Sequence, residues 1–466
     1  MEKPKRARNG KPPKQPRGGT YVAARSMSPG LERVREAAKE DAGLRFTNLM
    51  HHVTEELLGE AYEALNPQAS PGVDGMTWEE YGKGLRSRLE DLHERVHRGS
   101  YRAQPSRRTY IPKADGRMRP LGIAALEDKI VQQAVVWVLE AIYEEDFLGF
   151  SYGFRPGRSQ HNALDAVWVA IMQRKVNWVL DADVRGFFDS VSHEWAEKFV
   201  AHRVGDQRVL RLISKWLKAG VSEDGQWSSS VVGTPQGATV SPLLANVYLH
   251  YVLDLWVDAW RKRRAQGEVY IVRFADDFVM GFQYREDAER FRHESEHRMG
   301  RFGLQLNAEK TRLIEFGRFA ADNRAKRGEG KPDTFDFLGF THICARRRKD
   351  GGFTVLRKST AKRLRKKVKL VAVELKRRRH EPVSDQGNWL RSVIQGYYNY
   401  HAVPGNSAAL NRFQALVTRA WFTALRRRSH KARRLNWARM KSLIATWVPR
   451  PRILHPYPNQ RLRVST

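Results

Sequence analysis

A single cysteine, Cys344, stands in the 466 residues of this chain. With no second thiol, the chain can close no internal disulfide and build no paired-cysteine zinc site. That fits a reducing cytosol and weighs against a zinc-bearing nuclease module. Long apolar runs are missing as well. No stretch of about 18 apolar residues occurs, so no membrane span is expected. The N-terminus is basic but carries no apolar core, so no secretory signal is expected. Acid is the third scarcity, with 51 Asp and Glu set against 83 Lys and Arg.

What is present follows from that imbalance. The formal net charge is +32 and the pI is near 10.4. Such self-repulsion does nothing for folding, and a phosphate backbone relieves it. The basic residues cluster and alternate with aromatics, the pattern of a nucleic-acid binder. At 41% hydrophobic, the chain can still bury a sizeable core, and its length suits two or three domains.

Residues 1–43 read as a basic tail, richest in Lys, Arg, Pro and Gly up to about Arg25 and expected to be disordered. Helical spacing starts near Leu44, with Leu49, Val53, Leu57, Leu58, Ala61 and Leu65 in phase. Ser70-Pro71-Gly72-Val73-Asp74-Gly75 breaks it as a loop, and a second helix is expected from Trp78 to Val96. A positively charged hairpin follows: Arg107 to Lys113, a turn at Ala114-Asp115-Gly116, then Arg117 to Ile123. Further on, a helix over Glu127–Tyr143, a strand over Val176–Asp183 and a long helix over Leu243–Trp260 are expected. Glu268–Phe282 reads as strand, turn, strand, and Glu286–Phe302 as a charged helix. Strands and helices in irregular order argue for an α+β fold. Near residue 346 the composition shifts toward Lys and Arg, so a helical domain is expected over 346–466.

Two acidic sites end short apolar strands. One is Leu180-Asp181-Ala182-Asp183-Val184-Arg185-Gly186-Phe187-Phe188-Asp189. The other is Tyr270-Ile271-Val272-Arg273-Phe274-Ala275-Asp276-Asp277-Phe278-Val279-Met280. Adjacent carboxylates between hydrophobic strands repel each other with little screening, and a divalent cation makes them tolerable. A turn rich in Asp is the ordinary alternative. A third acid, Asp183, at the end of another apolar strand tells against that alternative.

The ordered set of motifs resembles the reverse transcriptases. Phe274-Ala275-Asp276-Asp277 is similar to their aromatic-Ala-Asp-Asp box, and Asp183 with Phe187-Phe188-Asp189 to their first catalytic motif. Gly233-Thr234-Pro235-Gln236-Gly237 with Ser241-Pro242-Leu243-Leu244 resembles the Pro-Gln-Gly motif. Ile111-Pro112-Lys113 through Arg119-Pro120-Leu121-Gly122-Ile123 resembles the finger motif. Gly303-Leu304 through Asn307 and Glu309-Lys310-Thr311 resemble the sixth block, and Phe335 to Phe340 the seventh.

The resemblance implies a right-hand polymerase, with fingers and palm over 44–345 and a helical thumb and RNA-binding region over 346–466. It implies that Asp183, Asp276 and Asp277 hold two Mg²⁺ ions, for which Mn²⁺ can substitute, with the Val184 carbonyl as an extra ligand. Of the adjacent pair, Asp276 is the stronger metal candidate. Lys113 and Arg119 are expected to grip the dNTP triphosphate, Arg bidentately and Lys as a point charge. Gln236 is expected against the nucleotide, and Lys310 at the triphosphate or leaving group. Phe188, five residues past Asp183, sits at the spacing of the family's steric gate, which excludes a 2′-hydroxyl; Phe187 is the fallback. Arg273 is left open between primer backbone and pairing with an acid. Asp181 reads as structural, Asp189 as a cap or turn residue, and His161 fits no nucleophile–base geometry.

The flanks narrow the resemblance. Ser70 to Gly75, Tyr152-Gly153-Phe154-Arg155-Pro156-Gly157-Arg158-Ser159 and Gly396-Tyr397-Tyr398-Asn399-Tyr400 look like the bacterial group II intron reverse transcriptase/maturases. The chain stops soon after His455-Pro456-Tyr457-Pro458, so no endonuclease extension is expected. The implied partners are an RNA template, a group II intron RNA, a DNA primer or target and dNTPs, in the bacterial cytoplasm and without a membrane. Two other readings are carried: a domesticated reverse transcriptase of DNA repair or phage defence, and a splicing maturase with little polymerase activity.

Overall fold

The computed structural model describes residues 27–112, 118–223, 225–228, 232–234 and 236–462. Lys113 and the turn at 114–116 lie outside them. The fold is mixed, with eleven strands in three sheets among the described residues.

The central sheet has the order β6-β7-β3-β8, all antiparallel: β3 is Trp178–Asp183, β6 Val269–Phe274, β7 Asp277–Phe282 and β8 Arg312–Glu315. Its apolar residues point to two cores. One face meets helices Leu126–Asp146 and Ser241–Leu249 in the largest core, through Leu180, Phe278 and Met280. On the other, Val179, Val272 and Val279 pack on helix Gln160–Gln173. Both faces are covered, so these strands read as near-continuous apolar runs, with Asp183 and Asp277 at their ends.

The charged hairpin is β1, Ser106–Pro112, and β2, Met118–Ile123. With β4, Val221–Glu223, and β5, Gln226–Ser228, it forms a second sheet of order β2-β1-β4-β5. The Ser70–Gly75 loop braces it: Arg107 donates to the Pro71 carbonyl at 2.8 Å, and Gly72 lies so close to Ala125 that a Cβ would meet its Cα at 2.5 Å.

Three expectations are corrected. Residues 1–43 are not all tail, because Pro29–Glu40 forms a helix capped by Ser28, burying Leu31, Val34 and Ala38 against the largest core. Its apolar positions are few and spaced among charged residues of both signs. The helix expected over Trp78–Val96 is split into Trp78–Gly82 and Leu85–Arg98, because Gly84 takes a left-handed conformation between them. The domain boundary at 345/346 falls inside a hairpin. Here β10, Phe340–Arg346, pairs with β11, Phe353–Ser359, beside β9, Phe335–Phe337. The basic run Arg346–Arg348 marks the turn end of that hairpin. A separate core begins only with helix Ala361–Arg377 and continues through Val383–His401, Ser407–Arg426 and Trp437–Trp447.

The long helix expected over Leu243–Trp260 is present but not regular. Ser241–Leu249 and Leu255–Arg263 flank a π-helical turn, His250–Asp254. Such single wide turns re-aim side chains and cluster at functional sites.

Candidate active site

Strand register brings the acids together. Asp183, the last residue of β3, lies directly opposite Asp277, the first of β7. Phe274 also pairs with Asp277, so Ala275 and Asp276 form a two-residue turn between β6 and β7. Ala275 has φ +57°, the sign a primed hairpin turn needs at its first central position and one that costs a residue with a Cβ.

Beyond Asp183 the chain is held by the 305–307 segment. Asn307 N–H donates to the Asp183 carbonyl at 2.8 Å, and Arg185 N–H to the Gln305 carbonyl at 2.8 Å. Val184 faces Leu306 between these two bonds. In such a pair the flanking residues make the hydrogen bonds, so the Val184 carbonyl points to the opposite side of the strand, the side of the acidic turn.

Lys310 Nζ lies 2.5 Å from Asp183 Oδ2, and Asn307 Nδ2 donates to the same oxygen at 3.3 Å. Burial works against the Lys310 charge. The Asp183 hydrogen bond and the charges of Asp183, Asp277 and Asp276 outweigh it, so its pKa is raised. Desolvation holds Asp276 above the ordinary carboxylate range. Asp183 adds to that rise, while the charges of Arg119 and Lys310 oppose it. The protein around the Asp277 carboxyl, then the Asp276 charge and its contact with Asp183, raise Asp277 as well, although its side chain still reaches solvent at the mouth. These are carboxylates whose charge is under-compensated. Among the described residues no three His, Cys, Asp or Glu side chains are already converged as a metal-ligand set. Asp183 instead turns to Lys310.

The other expected residues divide as follows. Arg119, exposed on β2, is near enough for its charge to act on Asp276. Gln236 is half-buried; its carbonyl accepts from Gly122 N–H at 2.7 Å, and its Nε2 donates to Asp189 at 3.4 Å. A Cβ on Gly237, at φ +116°, would lie 2.7 Å from the Gly122 carbonyl oxygen. The 233–237 loop thus links β2 to the Phe187–Ser190 turn, where Thr234 N–H donates to the Phe188 carbonyl at 2.8 Å. Phe187 is core, at 2% exposure. Phe188 is half-buried and edge-on to it at 5.4 Å. Of the two rings, only Phe188 is partly exposed.

A cleft of about 360 Å³ opens beside the acids, lined among others by Asp181, Asp183, Asp277, Arg312, Asp336 and Arg363. Asp181 shares the Asp183 face of β3, because side chains alternate along a strand. Burial pushes it up to about 6 against the pull of Arg312 at 3.7 Å. Leu338 and Gly339 of the β9–β10 turn also line this cleft, and both have positive φ, +47° and +84°. Leu338 is a non-glycine residue in the left-handed region that lines the cleft, and Ala275, another, lies two residues before the cleft residue Asp277; such strain concentrates at functional sites.

Sequence reasoning left Arg273 undecided and passed over Asp254, Ser151 and Asn246. Arg273 is fully buried against Asp254, so primer backbone is excluded as its partner. A buried arginine three residues before paired acids demands a counter-ion, but only the fold says which one. His161 stacks on His455 and bonds the Tyr400 carbonyl, a role in packing.

Comparison with known proteins agrees with this geometry. The family described as "Reverse transcriptase (RNA-dependent DNA polymerase)" matches residues 111–342. "Protein YkfC" of Escherichia coli is 35% identical over 312 residues, 59% of this chain and 81% of that protein. "Group II intron-encoded protein LtrA" of Lactococcus lactis is 35% identical over 234 residues, 48% of this chain but only 38% of that protein. A Schizosaccharomyces pombe protein, "Uncharacterized 91 kDa protein in cob intron", is 43% identical over 154 residues, 33% of this chain and 19% of that protein. The chain belongs to the reverse transcriptase family, within the group II intron reverse transcriptase/maturases. Among the described residues no helix is long and apolar enough to cross a membrane.

Proposed function

We propose that the protein is an RNA-directed DNA polymerase that extends a DNA primer on an RNA template, and that it binds a group II intron RNA to assist splicing and retrohoming. The observation that carries this reading is the register placing Asp183 opposite Asp277 at the end of an acid-tipped hairpin. In it, the central sheet and its helices are the palm, the β1–β2 sheet is the fingers, and the helices from Ala361 onward are the thumb and RNA-binding region.

The donor set suits a hard divalent cation, since it offers carboxylate and carbonyl oxygen without sulfur or imidazole. Asp183, Asp276 and Asp277, with the Val184 carbonyl, would hold the cations once Asp183 exchanges its contact with Lys310. Bound Mg²⁺ supplies activation of the primer 3′-hydroxyl and neutralisation of the leaving pyrophosphate. Arg119 reaches in from the fingers as a bidentate phosphate partner, with Lys113 expected beside it. Released from Asp183, the Lys310 ammonium is free to meet the triphosphate. The Phe188 ring closes the space where a ribose 2′-hydroxyl would sit, and Gln236 supports the nucleotide between Asp189 and β2.

The outer face of helix Ala361–Arg377 exposes Lys362, Lys366 and Lys369, and a basic run continues over Arg426–Arg434. Surfaces of this kind grip structured RNA by its phosphates.

Primer extension on an RNA template with Mg²⁺ and dNTPs, beside an Asp276→Ala, Asp277→Ala variant, tests the reading. Extension by the wild type alone supports it. A folded wild type that binds RNA tightly yet extends nothing sinks the polymerase and leaves the splicing maturase. Extension with no preference for an intron RNA over unrelated RNA points instead to a domesticated enzyme.

A further inference from the structure

We propose that Arg273, neutralised by Asp254, is a positioning residue for the metal-binding carboxylates of Asp276 and Asp277, an inference that rests on the polymerase reading above. A guanidinium has five N–H donors. Here Nε donates to Asp254 Oδ1 at 2.7 Å and Nη2 to Asp254 Oδ2 at 2.5 Å. The second Nη2 donor reaches Ser151 Oγ at 2.7 Å. Nη1 serves Asn246 Oδ1 and the Ala275 carbonyl, each at 3.1 Å. All five donors are committed, and both charged side chains are at zero exposure.

The Ala275 contact is the one that matters for chemistry. That carbonyl belongs to the peptide joining Ala275 to Asp276. Its plane sets the direction in which both acids leave the turn. Ala275 is held at φ +57°, a conformation an alanine abandons without restraint. The restraint comes from three directions. Arg273 holds the carbonyl. Tyr152 N–H donates to the Arg273 carbonyl at 2.9 Å, and Arg273 N–H to the Phe150 carbonyl at 2.9 Å. Gly153 sits flat against the turn, where a Cβ would meet Ala275 N at 2.3 Å, and Asn246 Nδ2 holds the Gly153 carbonyl at 2.7 Å. Asn246 and Asp254 come from the same long helix, and the π turn that ends at Asp254 changes the phase at which it faces the hairpin.

A purely stabilising role explains this less well. A buried ion pair carries a desolvation cost close to its Coulombic gain, so apolar residues of similar volume replace it with little loss of stability. They cannot replace a network of five directed bonds, one of which ends on the Ala275 carbonyl of the acidic turn.

The test is the Arg273→Met, Asp254→Leu double variant, which leaves no charge unpaired, in the full chain. Mn²⁺ binding is followed by electron paramagnetic resonance, and single-turnover nucleotide incorporation beside it. The expected result is a cooperative thermal transition and unchanged template–primer affinity. Mn²⁺ binding should be about tenfold weaker, and incorporation about a hundredfold slower. A folded double variant with wild-type Mn²⁺ affinity and rate overturns the proposal. If that variant does not fold, Ser151→Ala, which removes one of the five bonds and keeps the ion pair, is measured instead. Weakened Mn²⁺ binding in it supports the proposal, and unchanged binding overturns it. Should the wild type extend no primer, the polymerase reading fails on its own, and Mn²⁺ affinity still decides here. Weaker binding in the variant sustains the positioning role. Equal binding, or none in either protein, ends it.

Discussion

Lys310 and Asp183 share a 2.5 Å ion pair at the point where β3 and β7 set Asp183 opposite Asp277. The ammonium compensates the Asp183 charge, so on the polymerase reading a bound cation would have to compete with it for Asp183. Replacing Lys310 with Met is expected to strengthen Mn²⁺ binding in the absence of nucleotide. The same change should slow incorporation about a hundredfold, because a donor aimed at developing charge is lost. Titration by calorimetry and rapid-quench kinetics read the two effects. A variant whose Mn²⁺ affinity and rate fall together would show that Lys310 assists the site without competing for it.

The two neighbouring phenylalanines should separate cleanly. Phe188→Val opens the space beside the nucleotide, and the preference for dNTP over rNTP is expected to fall about tenfold or more. Phe187→Ala empties a core position at 2% exposure and should cost about 3–5 kcal/mol of stability. Incorporation of each nucleotide type and thermal melts distinguish them. Unchanged sugar discrimination in Phe188→Val would remove the gate from this ring.

Gly153 has no room for a side chain. A methyl there would lie 2.3 Å from Ala275 N, so Gly153→Ala must push the acidic turn aside. Activity is expected to fall about a hundredfold, the order that a displacement near 1 Å at the reacting groups produces. Gly300→Ala is the control, since nothing lies near its would-be Cβ at the end of a helix, and it should be neutral or stabilising by about 0.5–1 kcal/mol. Equal activity in the two variants would refute the close approach at Gly153.

His342 stacks on Phe335 at 4.6 Å, fully buried, and burial with the nearby Arg357 charge pushes its pKa down to about 3. Below its ordinary pKa of 6.5 the unfolded chain takes up a proton that the folded chain refuses. Its contribution to stability is therefore whole above about pH 6.5 and is lost as pH falls toward about 3, at about 1.4 kcal/mol per pH unit. His342→Leu removes that slope. The gap in melting temperature between wild type and variant should shift against the wild type from pH 7 to pH 5. Parallel curves would show that the ring is not buried neutral.

Much of this site was legible in the amino acids. Asp183, Asp276 and Asp277 stand out because apolar strands ending in acid have few other uses, and their order along the chain matches one family. Arg119 and Lys310 followed from the same motifs and lie near those acids, while Gln236 bonds Asp189 and Gly122. The Arg346–Arg348 run misled, because composition does not separate a basic hairpin turn from a linker. The helix Pro29–Glu40 was missed, because a dozen residues beside a basic tail carry too few apolar positions to be noticed. Arg273 stayed ambiguous because nothing local tells a buried arginine from one that reaches a phosphate.

Composition, strand periodicity and motif order determined the class of chemistry, for those properties are written in neighbouring residues. Which residues hold the acids in place was decided by the tertiary structure alone. Asp254 lies nineteen positions before Arg273, and Ser151 lies 122 before it. Contacts at such separations are set by how helices and strands pack, by the phase of one π turn, and by a glycine with space for nothing more. No local pattern encodes those three things.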